Sequence, residues 1–255
     1  MQVSARIWIS VVGIAVTLAA TTPVVAGEDT PEALLDAFFS RAGIADKTSV
    51  YTGEMLERFL DKPTLGQMLR EDLKLTPRLI EKKPPRAVYA VEAKREDTIV
   101  DWYVFLREEQ HTWKLEALRS LALTGPIQVL IERLRNVPNR SPEQERDYQN
   151  FLLTLASDQQ LKAYLRTHHQ QLQALADLAQ AGHVSEATAR AKAQSLHLVE
   201  LSGDKKIIQI VIGGILDNTV GFMRVTPGAS VPTMDPKEYI YIEQVVDNWY
   251  VYKTT

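Results

Sequence analysis

The residues with the clearest chemical potential lie in strand-like runs. Asp101, in the run IVDWYVF (99–105), shares a side with Ile99, Tyr103 and Phe105 if the run is a strand, because alternate residues point the same way. A carboxylate among aromatic rings is poorly solvated, which raises its pKa toward the range useful for acid and base work. Asp101 is therefore the candidate catalytic residue, to act with a histidine or tyrosine. The competing expectation is a structural carboxylate paired with a Lys or Arg. Arg224, in GFMRV, carries a guanidinium that suits either a bound carboxylate or phosphate or a structural ion pair.

The five histidines are His111, His168, His169, His183 and His197. His168 and His169 are adjacent, and neighbours on a helix point about 100° apart, whereas chelation from one helix calls for a separation of four. No metal site is expected: His168 reads as a partly buried, hydrogen-bonded side chain and His111 as an exposed turn residue. Asp217-Asn218 reads as a turn. The sequence contains no G-x-S-x-G, HExxH, P-loop, dinucleotide fingerprint or EF-hand loop, and no cofactor is expected. It also has no cysteine, which excludes disulfides, thiolate metal sites and thiol nucleophiles.

The elements that must position these residues follow from periodicity and capping. Residues 1–26 have one basic residue, an apolar run and small residues at Val24 and Ala26, the pattern of a cleaved signal peptide. An uncleaved anchor is the alternative, opposed by Pro23 and by acidic Glu28 and Asp29. The mature chain is expected to be secreted or periplasmic, with no stable membrane insertion after cleavage. The first unit, 27–123, opens with helices: Thr30-Pro31 as a start, 52–60 as a second, and a capping box at Thr64 and Gln67 leading into a third with Met68, Leu69 and Leu73 apolar. Strand-like runs follow at 87–93, 98–107 and 112–118, and the charged stretch 81–95 reads as a solvated face. A helical connector, 124–157, includes a strong start at Ser141-Pro142. In the second unit, 158–255, Asp158 is expected to cap one long helix reaching Ala181, with a short helix over 185–193 and strands over 195–201, 206–212 and 219–225. Gly213-Gly214 marks a bulge, and the loop 226–237, with three prolines, is a place to look for function.

The closing stretch, KEYIYIEQVVDNWYVYKTT, reads as a hairpin apolar on both faces, which demands cover on both. Paired about Val245, it puts Tyr239, Tyr241, Trp249 and Val251 on one face and Ile240, Ile242, Tyr250 and Tyr252 on the other. An echo lies 136 residues earlier, where Tyr103 to Leu106 precede Trp113 as Tyr239 to Ile242 precede Trp249. Pairing about Glu109 gives that copy the same aromatic face, with Phe105 opposite Trp113. The fold class is α+β: N-terminal helices followed by a bent antiparallel sheet, an arrangement the echo would repeat, with a helical hairpin between.

This order, with Trp113 opening WKLEALR and Trp249 opening WYVYKT, resembles the cone-shaped NTF2-like or cystatin-like α+β folds. The resemblance implies a concave sheet with a pocket lined by Tyr103, Phe105 and Trp113, or by Tyr241 and Trp249. Such folds serve enzymes, binders and interaction modules alike.

With 45% hydrophobic and 24% charged residues and a formal charge of −3, the chain reads as globular and lacks the basic stripe that nucleic acid requires. The expectation is an exported binding or interaction protein for a small apolar ligand or a protein partner, with ligand-binding residues Tyr103, Phe105, Trp113, Tyr241, Trp249 and Arg224. The alternatives are a cofactor-independent enzyme using Asp101 and an envelope-assembly partner using the helix over 158–181.

Overall fold

The computed structural model describes residues 30–255 apart from 97, 123, 203–204 and 216–217, so the expected signal peptide (1–26) and Asp217 lie outside the described residues. Thr30 Oγ1 accepts the Ala33 N–H at 3.2 Å and Pro31 opens α1 (Pro31–Phe39), which buries Leu34, Leu35 and Phe38. Three short helices follow: α2 (Lys47–Val50), α3 (Gly53–Phe59) and α4 (Leu65–Met68). At Thr64 the return arm of the capping box forms, the Thr64 N–H donating to Gln67 Oε1 at 2.9 Å, but α4 is a single turn and Met68 is 59% exposed, not core.

The chain then builds an antiparallel meander of β1 (Lys74–Lys83), β2 (Arg86–Arg95), β3 (Thr98–Glu109) and β4 (Thr112–Arg119). Strand β1 was not expected from the sequence. It is an edge strand carrying Pro77 and four lysines or arginines at 74, 78, 82 and 83, the composition that keeps an edge from recruiting further strands and hides it from apolar periodicity.

The second half supplies α5 (Thr124–Arg135), α6 (Pro142–Thr154), α7 (Asp158–Thr167), α8 (His169–Gln180) and α9 (Val184–Ala193). A five-stranded antiparallel sheet follows, made of β5 (Leu198–Ser202), β6 (Ile207–Ile215), β7 (Asn218–Val225), β8 (Tyr239–Val246) and β9 (Trp249–Thr254), in the order β5-β6-β7-β9-β8. The architecture is α+β, with two separate antiparallel sheets among the described residues.

Three expectations are corrected. The long helix is broken at His168, whose ring stacks on Tyr164 at 3.9 Å while its Nδ1 lies 3.0 Å from the Tyr164 carbonyl oxygen. The cap of α7 is Ser157, in a capping box with Gln160, which leaves the Asp158 carboxylate free for other partners.

The third concerns hairpin register. Gln110 and His111 both have positive φ (52° and 67°), which makes a two-residue hairpin turn, and a bulge follows between Phe105 and Leu106. Phe105 therefore pairs with Ala117 and Trp113 with Glu108, so Trp113 faces away from Tyr103 and Phe105. In the closing hairpin a bulge between Tyr239 and Tyr241 moves Tyr239 onto the Tyr252 face, while Tyr241, Trp249 and Val251 keep the expected one. The two hairpins also sit opposite ways round: β3, the first arm, is inner in its sheet, whereas β9, the second arm, is inner in the other.

Packing divides by sheet face. One face of the four-stranded sheet (Tyr89, Val91, Val104, Leu106, Trp113, Leu115) is covered by Leu34, Leu35, Phe38, Tyr51 and Met55 from the N-terminal helices. Its other face (Val88, Ala90, Tyr103, Phe105, Ala117) belongs to the large core of the second half. There Ile208, Ile210, Phe222, Trp249 and Val251 meet Leu161, Leu165, Leu172 and Leu175 of α7 and α8. One continuous core thus spans both halves.

Candidate binding site

The aromatic residues expected to line a pocket are core. Tyr103 and Tyr241 are 0% exposed, Trp249 1%, Phe105 2% and Trp113 7%. The face holding Tyr241 and Trp249 is filled by α7 and α8, and Trp249 Nε1 donates to Gln173 Oε1 at 3.0 Å. Arg224 donates to Asp177 Oδ1 at 2.8 Å and Gln180 Oε1 at 3.3 Å, pinning β7 to α8.

Asp101 does meet a lysine. At the seam between the sheets Lys253 Nζ lies 3.4 Å from Asp101 Oδ2 and 2.9 Å from Asp158 Oδ1, and the Tyr103 hydroxyl donates to the same Asp158 oxygen at 2.7 Å. Asp101 Oδ2 also accepts the Asp158 N–H at 2.8 Å, placing a carboxylate at the N-terminus of α7, where the helix dipole favours negative charge. Arg78 on β1 reaches Asp158 Oδ2 at 3.2 Å and is also paired with Glu243 on β8. Lys162 donates to Glu243 Oε1 at 2.8 Å and Tyr241 to Glu243 Oε2 at 2.9 Å. Tyr103 and Tyr241 stack at 5.2 Å between these groups. Three cations and three carboxylates from five elements balance within this network.

Burial pushes the Asp101 carboxyl up to about 6, the Lys253 charge opposing and the Asp158 charge assisting. For Lys253 burial would depress the ammonium, but the Asp158 and Asp101 charges outweigh it and hold it above the ordinary lysine value. Burial also opposes the charge on Glu243, and hydrogen bonds from Lys162 and Arg78 overcome that and hold it below the usual range. Beside Asp101 a cavity of about 30 Å³, bounded by Val100, Leu121, Thr154 and Lys253, has room for a water. It is too small for a substrate.

The open site is on the opposite face of the five-stranded sheet, the one the helices leave uncovered. A groove of about 500 Å³ runs over it, lined by Leu198 and Glu200 of β5, Gln209 and Val211 of β6, Thr219 of β7, Tyr252 and Thr254 of β9, and Tyr239 of β8. Tyr252 lies beneath this groove and is only 1% exposed, so its ring supports the groove from below. It pairs with Gly221, and a Cβ on that glycine would sit 2.7 Å from the Tyr252 ring, so the missing side chain lets the ring lie against the strand. Tyr239 stands edge-on to Tyr252, with ring centres 6.0 Å apart and planes at 66°. Its hydroxyl accepts a hydrogen bond from Gln209 Nε2 at 3.0 Å, reaching across two intervening strands. Burial raises the pKa of both phenols, so each stays protonated and able to donate at neutral pH.

Sequence reasoning put Tyr252 and Tyr241 on opposite faces and looked for a pocket on the Tyr241 face, which α7 and α8 fill. The pairing of Gly221 with a long aromatic was the available signal, and reading it required knowing that β9 lies beside β7. The loop after β7 closes the far end of this sheet: Met234 is buried, Arg119 Nε donates to the Pro236 carbonyl at 2.7 Å, and Arg86 lies 3.9 Å from Asp235. Among the described residues no group of three or more His, Asp or Glu stands together as a metal site, and no helix is long and apolar enough to cross a membrane. No family model, curated protein or solved structure matches this chain.

Proposed function

We propose that the protein is an exported binding protein that holds a small molecule in the groove of its five-stranded sheet, against Tyr239. The observation that carries this reading is the fixed Tyr239 ring, tied to Gln209 and braced edge-on by the buried Tyr252, at the wall of a groove of about 500 Å³. That volume is within the range of small-molecule sites, roughly 300–1,000 Å³. The Tyr239 ring and Leu198, with the Gln209 amide and the charged Glu200, Lys237 and Glu238 around them, suit an amphipathic ligand with a flat face and a polar edge.

The test is native mass spectrometry of protein purified without refolding, for the wild type and Tyr239→Ala, each compared with its denatured mass. The expected result is an added mass on the wild type that is lost on denaturation and strongly reduced in Tyr239→Ala, with both proteins showing the same far-UV circular dichroism. A wild type that carries nothing, or an adduct unchanged by the substitution, would sink the reading.

A further inference from the structure

A second cleft lies on the helical side, away from the groove. It has a volume of about 620 Å³ and is lined by Gln149, Leu152 and Leu153 of α6, Ala156, Gln160 and Tyr164 at and after the α6–α7 junction, and Gln194 and Ser195 after α9. None of these side chains is charged, in a chain with 24% charged residues. Its walls are fixed. Asn150 Nδ2 donates to the Ser195 carbonyl at 2.8 Å and also to that of Ile212, holding the α9–β5 turn on α6 with Ser195 at a φ of 61°. Tyr164 is clamped between His168 and Phe222, with ring centres at 3.9 and 5.6 Å, so neither of its faces is open to a ligand.

The polar groups left over define what the cleft can hold. Gln160 uses its Oε1 on the Ser157 N–H at 2.8 Å, leaving its Nε2 hydrogens. Gln149 uses its Nε2 on Glu145 at 2.7 Å, leaving its Oε1, and Glu145 is itself paired with Arg140 at 2.6 Å. Among the described residues the Gln194 amide and the Ser195 hydroxyl have no protein partner. Donors and acceptors are therefore both offered, all neutral, beside the apolar Leu152, Leu153 and Ala156. Gln149, Gln160 and Leu152 are exposed, so the cleft is partly wet; the neutral lining offers a charged ligand no counter-charge and offers an uncharged polar ligand both donors and acceptors.

We infer that this cleft binds an uncharged ligand of hydroxyl and amide groups, of the acetamido-sugar class. The amide of such a ligand pairs with the glutamine amides, its hydroxyls with Ser195 and Gln194, and its methyl group packs on Leu152 and Ala156. The inference stands independently of the groove.

The probes are N,N′-diacetylchitobiose, which is neutral, and chitobiose, which has the same skeleton with two ammonium groups. Titration of the full chain followed by nitrogen-15 NMR of side-chain amides should show saturable shifts at Gln149, Gln160 and Gln194 with the neutral probe. Affinity should be at least tenfold weaker for the charged probe, and tenfold weaker for the neutral probe on Gln194→Leu or on Leu152→Asp, two positions at the mouth whose thermal melts serve as fold controls. Equal affinity for both probes, shifts confined to the Tyr239 groove, or no saturable shift would each overturn the inference.

Discussion

The seam makes an unusual demand on the pH dependence of stability, and Asp101 sets its sign. Its carboxyl titrates at about 6 in the folded chain against 3.8 when free, because burial disfavours the charged form. Between those values the folded state binds more protons than the unfolded one, so stability falls as pH rises. At about 1.4 kcal/mol for each tenfold change in proton affinity, the whole effect is roughly 3 kcal/mol, in place below the unfolded pKa and lost by the time pH passes the folded one. Glu243 acts oppositely: its folded pKa is lowered, so its contribution is present above 4.5 and lost as pH falls below that. Asp101 therefore governs the slope between about 4.5 and 6. Asp101→Asn keeps an acceptor for the Asp158 N–H but cannot titrate. Urea unfolding at half-unit pH steps should show wild-type stability declining by about 2 kcal/mol from pH 4.5 to 6.5 and a nearly flat profile for the variant. A wild type that gains stability across that window, or an Asn variant with an undiminished decline, would refute the reasoning.

Two further outcomes separate core from site. Lys253→Met leaves Asp101 and Asp158 without their shared cation and should cost about 3–5 kcal/mol in urea at pH 7, less at pH 5 where Asp101 is protonated; a loss under about 1 kcal/mol would mean that water screens the network. Trp249→Ala should cost about 3–5 kcal/mol in the same assay, as a core truncation does, and a variant within about 1 kcal/mol of the wild type would restore Trp249 as a candidate pocket residue.

What the sequence disclosed depended on whether the signal was local. The Thr30 and Ser141 caps, the strands around Tyr103 and Phe222, and the Gly213 bulge are written in neighbouring residues, and each is where it was expected. The Ser157 cap was also written locally, as S-x-x-Q, but Asp158 beside it is an equally good cap by type. Only the fold shows that its carboxylate is engaged elsewhere. Hairpin register was illegible for a different reason: a turn of two residues in place of an odd-numbered one, or a single bulge, reverses the face of every residue beyond it, which is how the Gln110-His111 turn took Trp113 from Phe105 and the bulge took Tyr239 from Tyr241. The groove required the strand order β7-β9-β8, which no local pattern specifies.

The seam shows why a chain would bury four charges and half-bury two more where apolar residues would pack as well. Replacing a buried ion network by hydrocarbon is often neutral or stabilising, so stability alone is a poor explanation for it. The shared core already holds the two halves together, but apolar surfaces tolerate sliding. The network does not: Asp158 is met by Arg78 from one sheet and Lys253 from the other, and Glu243 by Arg78 and by Lys162 of the helix between. Moving either sheet by one residue would leave a carboxylate or an ammonium buried without a partner, at a cost of several kcal/mol. The charges thus select one register between the halves. They do so with residues as far apart in the chain as Asp101 and Lys253, 152 positions, a separation at which no sequence pattern marks them as partners.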